Sequence, residues 1–338
     1  MAADTTQSNP RSLVREDYTI GWISTLAVES AAANAMLTEK HQRLSTAEGD
    51  TNSYVLGSIG GHNIAMACIN EAGGLPAHIV ASHLMTSFPN VRYVLMVGLG
   101  GGIPSDRYDI RLGDIVVSEP MEGSPGVVQS DFGKWESEGF KRTGSLNRPA
   151  EGLVRVMGAM KRLDILGESR IHSYVKHLPT GRFRHPNQWA FQGINNDPMY
   201  ENDQTPRKVG ICPECELLTE YHSPDPIVHY GIIASGNHVV KNEHQRTELL
   251  NALGVCCVEM EAFGLMNNFP CLVIRGISDY ADGRKNDKWQ SYAALTAAAY
   301  AKELLLELPA VDVFSTPPVS DQLLKRQYAR AKSHVGSF

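Results

Sequence analysis

The stretch VEMEAFG, residues 258–264, begins at the end of the apolar run ALGVCCV (252–258) and precedes a second, FPCLVIRGISDYAD (269–282). Short apolar runs bounded by breaks read as buried strands. Two glutamates, Glu259 and Glu261, stand where this pattern puts core, and Asp279 closes the strand-like run CLVIRGIS. Acidic side chains are seldom buried without a partner, so each of the three must hold something.

Outward from this stretch, the chain alternates strand and helix signals. YTIGWIS (18–24) reads as a buried first strand, and AVESAAANAML (27–37) has helical spacing with helix-forming alanines. SYVLGSIGGHNIAMACI (53–69) reads as two strands joined at Gly60 and Gly61. Pro76 opens a helix, AHIVASHLMTSF, in keeping with proline's place in a first turn. VRYVLMVGLGGG (91–102) is a strand running into a glycine cluster, LGDIVVSEP (112–120) is another strand, and 149–166 is helical. VHYGIIAS (228–235) is a strand with a helix after it to about residue 252, and KWQSYAALTAAAYAKELLLEL (288–308) is the last helix. Many strands are apolar on both faces. That pattern predicts a three-layer α/β/α fold, with helices on both sides of one central sheet. In such folds the functional crevice lies at strand ends, where the glycine cluster, Glu259, Glu261 and Asp279 all fall.

Composition narrows the class. The 338 residues are 42% hydrophobic, with net charge −6 and pI near 6.1, which argues against a nucleic-acid footprint or an anionic membrane partner. No apolar run is long enough to span a bilayer. Residues 1–16 are polar, lack a signal-peptide core and read as a disordered lead. The six cysteines are few for this length and suit a reducing compartment, so a soluble cytoplasmic protein is expected. Residues 17–308 form the expected single domain. Within it, 168–227 is rich in His, Pro, Asn, Asp and Arg and reads as an insertion or lid. Residues 309–338 lose the core pattern and read as a tail.

Each candidate constellation carries two readings. GLGGG (98–102) offers backbone N–H groups to an anion or a sugar oxygen, or is a tight turn. Glu29 is a functional acid or a solvated glutamate of a first helical turn. One of Glu259 and Glu261 can accept from two adjacent hydroxyls, as in a ribose cis-diol, or the two form a structural ion pair. Asp279, preceded by Ser278, is placed as a proton donor or as a turn-capping residue. The CPEC pair Cys212 and Cys215, with His222 and His229 downstream, is half a zinc site and lacks its second half at finger spacing. No metal is expected.

Together IGWISTLAVES, VGLGGG with GDIVVSE, GIIASGN, and VEMEA with IRGISDYAD resemble, in this order, the nucleoside phosphorylase/nucleosidase superfamily. The likeness spans roughly 18–118 and 228–308 and implies a nucleoside phosphorylase-like three-layer α/β/α fold with a central mixed sheet. DYADGRKNDKWQSYAALTAAAYAKELL and VVQSDFGKW resemble the nucleoside-phosphorylase-like domains in front of fungal NACHT and ankyrin proteins. The chain ends soon after the domain, so no NACHT module is expected.

By this resemblance, Glu261 holds the ribose hydroxyls with Met260 packed on the sugar, and Glu259 supports it. Asp279 protonates purine N7, oriented by Ser278, and Glu29 binds and activates water. Val239 and Val240 fall where backbone groups bind the base, and Gly98, Leu99, Gly100 and Gly101 line the nucleophile pocket. Where nucleosidases often carry an aromatic, Val239 stands, so stacking falls to Phe132, Trp135 or Phe191. Phosphorylases of the bacterial type carry an arginine and a serine at the positions of Met96 and Leu99. An apolar pair cannot hold a dianion. Hydrolysis of a purine nucleoside is therefore expected, with adenosine first, then inosine and guanosine. The alternatives are phosphorolysis using Arg107, Arg111 or Arg142, a nucleoside sensor, and a nucleotide substrate met by Arg182, Arg184, His185, Arg207 and Lys208. The resemblance implies a homo-oligomer, and the chemistry requires no cofactor.

Overall fold

The computed structural model describes residues 13–121, 123–137, 139–178, 182–199, 225–323 and 325. Its first half holds β1 (Ile20–Ser24), α1 (Ala27–Met36), β2 (Glu39–Lys40), β3 (Tyr54–Ile59), β4 (His62–Cys68), α2 (Gly74–Ser87) and β5 (Tyr93–Gly102). β6 (Ile115–Ser118), β7 (Val127–Gln129), β8 (Gly133–Glu136), β9 (Gly139–Arg142), α3 (Glu151–Ile165) and α4 (Ile171–Lys176) follow. The remainder is β10 (Val228–Ser235), α5 (Glu243–Leu253), β11 (Val255–Glu259), α6 (Ala262–Met266), β12 (Cys271–Asp279), α7 (Gln290–Glu307) and α8 (Ala310–Ser315).

β5 is the hub of the sheet. It runs parallel to β1 (Ile20 beside Tyr93) and to β12 (Cys271 beside Val94). β12 pairs antiparallel with β6, and β10 lies parallel between β6 and β11. β11 then returns to β5 antiparallel, Cys257 facing Gly102, so β5, β12, β6, β10 and β11 close on one another. On the other edge, β4, β3 and β2 extend the sheet. β1 and β12 are buried along their whole lengths, as strands covered on both faces must be. One face packs Ala81, Leu84 and Phe88 of α2 and its end over Met96 and Val273. The other packs Met36, Ala297 and Leu304 over Trp22, Leu95 and Ile274. The fold is thus the expected three-layer α/β/α with a mixed sheet. The small residues of α7 let it lie against β12, where a Cβ on Gly276 would meet the Ala293 carbonyl at 1.8 Å.

Several boundaries differ from the sequence reading. α2 starts at Gly74, ahead of Pro76, which sits within the first turn where no N–H is needed. GLGGG belongs to β5 to its end, and none of its glycines has positive φ. The β8–β9 hairpin was not anticipated. Arg15–Asp17 forms a 3-10 turn at the close of the expected disordered lead, whose first twelve residues lie outside the described ones. The segment after Pro309 is not coreless: Val313 and Val319 are buried, and Val319 N–H donates to the Val91 carbonyl at 2.8 Å. Of the 168–227 insertion, α4 lies on α7, and Phe191 packs edge-on against Trp289 and Tyr292. Residues 200–224 lie outside the described ones, with Arg207, Lys208, Cys212, Cys215 and His222. Among the described residues no helix is long and apolar enough to cross a membrane.

Candidate active site

Glu29 sits in the first turn of α1, where a glutamate can reach back to the helix start. Its Oε2 accepts from the N–H groups of Thr25 (2.6 Å) and Leu26 (2.9 Å). Its Oε1 crosses to β5 and accepts from Leu99 N–H at 2.7 Å. A Cβ on Gly98 would meet this Oε1 at 2.6 Å and Arg275 Nη1 at 2.7 Å. The glycine is therefore required for close approach rather than for a turn. Burial pushes the Glu29 carboxyl up, against the lowering pull of Arg275 and the three N–H donors.

Gly254 ends α5 in the left-handed conformation and turns the chain into β11, which delivers Glu259 to the same place. Glu259 Oε2 accepts from the N–H groups of Glu261 (3.1 Å) and Ala262 (3.0 Å), capping α6. It also pairs with Arg275 Nη2. That nitrogen lies 3.2 Å from Glu261 Oε2, and Nη1 donates to the Leu99 carbonyl at 3.2 Å. One buried guanidinium thus faces three buried carboxylates, those of Glu29, Glu259 and Glu261. Burial would lower the Arg275 pKa, but the three carboxylates outweigh it and raise it. Glu261 is pushed up to about 7 by burial, with Arg275 opposing and Glu259 and Glu29 adding to the rise.

Asp279 closes β12 opposite Gly101, where a Cβ would stand 3.0 Å from its Oδ1. Oδ1 accepts from Ala281 N–H at 3.0 Å. Oδ2 accepts from Ser278 Oγ at 3.0 Å and pairs with Lys285 Nζ at 3.0 Å.

One cavity joins these groups. Glu29, Leu99, Gly100, Gly101, Val239, Val240, Glu259, Met260, Glu261, Ser278 and Asp279 all line it, and Gly98 lies behind Glu29. Sequence reasoning missed Arg275 and Lys285, which line it too. A lone arginine in an otherwise apolar strand was a readable signal, since a buried guanidinium demands partners. Other candidates fall elsewhere. Phe191 is committed to Trp289 and Tyr292, Phe132 is exposed at 57%, and neither lines the cavity. Trp135 belongs to β8, and its side chain lies outside the described residues. Of the proposed phosphate-binding arginines, Arg107 stacks on Tyr108, Arg111 pairs with Asp109 and Arg142 donates to the Gly144 carbonyl. None reaches the cavity. Arg182 donates to the Ala35 carbonyl at the far end of α1, and Arg184 and His185 do not line the cavity. His229 Nε2 bonds Asp114 Oδ2 at 2.8 Å.

Residues 173–307 match the Phosphorylase superfamily. The chain is 44% identical over 298 residues to a nucleotide-binding leucine-rich repeat (NLR)-like protein of Hyaloscypha variabilis, covering 87% of this chain and 30% of that one. It therefore spans under a third of that relative's length. A 5′-methylthioadenosine/S-adenosylhomocysteine nucleosidase of Mycobacterium bovis is 24% identical over 86% of this chain and 97% of its own. The nucleosidase of the same name from Neisseria meningitidis, solved with methylthio-immucillin-A, superposes with TM-score 0.56 at 17% identity, over 86% of this chain and 99% of that one. The fold, the strand-end cavity and these likenesses converge: residues 173–307 carry the match to the Phosphorylase superfamily, and the chain is similar to the matching part of a fungal NLR-like protein.

Proposed function

We propose that the protein is a purine-nucleoside N-ribohydrolase. The nucleosidase relatives support a hydrolase of this kind. One observation carries the choice of water over phosphate. Glu29 takes the Leu99, Thr25 and Leu26 N–H groups, the donors that a phosphate in this pocket would need. The guanidinium of Arg275 is likewise committed to carboxylates. A dianion would meet an acidic, already satisfied pocket.

In the proposed reaction, Asp279 gives a proton to purine N7 as the C1′–N9 bond breaks, and the bonding pair leaves with the base. A water attacks the oxocarbenium-like C1′ and gives its proton to Glu29. Glu261 accepts from the ribose hydroxyls, and Ser278 holds the Asp279 carboxyl in place. The products are free base and ribose. A homo-oligomer belongs to the same reading, since Leu26 and Val239 line the cavity yet are 39% and 48% exposed. So does a cytoplasmic setting, supported by the free thiols of Cys68, Cys256, Cys257 and Cys271.

The test is product chromatography after incubation with adenosine, inosine, guanosine, methylthioadenosine, AMP and ATP, with and without phosphate. Ribose, or ribose phosphate from a nucleotide, is expected without phosphate. Ribose 1-phosphate formed only with phosphate present would overturn the proposal. Asp279→Asn is expected to lower turnover about 10²–10⁴-fold while retaining binding. A nucleoside sensor would lose little.

A further inference from the structure

We propose that Lys285 reads the base, and that this site takes 6-oxopurine nucleosides (inosine and guanosine) ahead of adenosine. The inference rests on the nucleosidase reading of the cavity and reverses the substrate order expected from the sequence.

Lys285 lies in the loop between β12 and α7, six positions after Asp279. Its Nζ stands 3.0 Å from Asp279 Oδ2, both residues line the cavity, and the lysine side chain is 34% exposed. The ammonium is therefore at the edge of the cavity, beside the carboxyl assigned to N7. The acceptor sites of that carboxyl are heavily used. Ala281 N–H takes Oδ1, while Ser278 Oγ and Lys285 Nζ take Oδ2.

Purines differ at the edge that faces such a group. Adenine presents an acceptor, N7, beside an amino donor. Hypoxanthine and guanine present two acceptors, N7 and O6. An ammonium has three donors and no acceptor. Beside an N7-bound Asp279, it can complete the pair with O6 and can only oppose the N6 amino group. The ammonium has three donors and one contact with Oδ2, so O6 can be met while that contact is kept. Valines at 239 and 240 add only apolar side chains to the lining. The Asp279–Lys285 edge, beside the carboxyl assigned to N7, is where O6 and the N6 amino group are told apart.

The experiment compares kcat/KM for inosine, guanosine, adenosine and their 5′-monophosphates, with and without phosphate, in the wild-type protein and in Lys285→Met, which keeps the apolar stem and removes the donors. The same two proteins are titrated calorimetrically with hypoxanthine and adenine, and thermal melts check folding. The wild type is expected to favour inosine and guanosine over adenosine at least tenfold. Lys285→Met is expected to cut that ratio about tenfold to a hundredfold. Adenosine preferred by the wild type, or a ratio that Lys285→Met leaves unchanged, overturns the assignment and leaves hydrolysis standing. A loss confined to 5′-phosphorylated substrates also overturns it, giving the ammonium to phosphate. Base release that requires phosphate but keeps the Lys285-dependent preference overturns hydrolysis and leaves the assignment standing. If no nucleoside turns over, the titrations decide. Tighter hypoxanthine binding lost in Lys285→Met supports the role, and equal or absent binding of the two bases overturns it.

Discussion

Replacing Glu261 by glutamine is expected to stabilise the protein while disabling it. Arg275 faces Glu29, Glu259 and Glu261 together, so the cluster holds more negative charge than its one guanidinium can neutralise. Glu261 bears the excess, and its carboxyl rises from 4.5 to about 7 on folding. A raised native pKa favours folding fully below the unfolded value, and that contribution is lost as pH climbs through the native value. The loss therefore spans about pH 4.5 to 7. At about 1.4 kcal/mol per unit, the ionised carboxylate costs the native state about 3 kcal/mol above pH 7. Glutamine keeps the size and an acceptor for Arg275 but never ionises. In urea denaturation at pH 8, Glu261→Gln should gain about 3 kcal/mol, a rise of roughly 4 °C in melting temperature for a chain of this size. At pH 5 the gain should shrink to about 1 kcal/mol or less. Turnover should fall, because an amide holds the sugar hydroxyls less well than a carboxylate. A variant no more stable than wild type at pH 8, or one whose gain does not change with pH, would refute this account of the cluster.

The remaining predictions probe its neighbours. Arg275→Met leaves three buried carboxylates without their cation and should cost about 3–5 kcal/mol in urea denaturation at pH 8, with a smaller loss at pH 5. Gly98→Ala puts a Cβ 2.6 Å from Glu29 Oε1 and should lower kcat about 10²-fold by displacing that carboxyl; unchanged kcat would remove Glu29 from the nucleophile pocket. Val313→Asp buries a charge in a fully buried position past the last long helix, so unfolding should cost less by more than about 3 kcal/mol. An unchanged melting temperature would mean that this segment contributes nothing to the core.

The strands and helices of this protein were legible because burial writes a local period into the chain. YTIGWIS and CLVIRGIS became β1 and β12, and the alanine-rich run became α7. Glu29, Glu261 and Asp279 were singled out as acids out of place or by resemblance, and the fold brings them to one cavity. GLGGG could be read in the sequence either as an N–H cradle or as a tight turn, because glycine serves both left-handed backbone and close approach, and only the neighbour decides which. Here the neighbours are Glu29 and Arg275. Arg275 was visible as an anomaly, but its three partners come from α1, β11 and the start of α6, which no local pattern connects.

By itself, then, the sequence determined the order of elements, the buried strands and the acids that required partners, since periodicity and residue chemistry are properties of short windows. Only the tertiary structure decided that β11 closes on β5, that one guanidinium serves three carboxylates and that Lys285 stands at Asp279. Those are meetings between segments far apart in the chain or placed by a loop. Their geometry is set by how the whole sheet packs and closes, and no stretch of residues carries it alone.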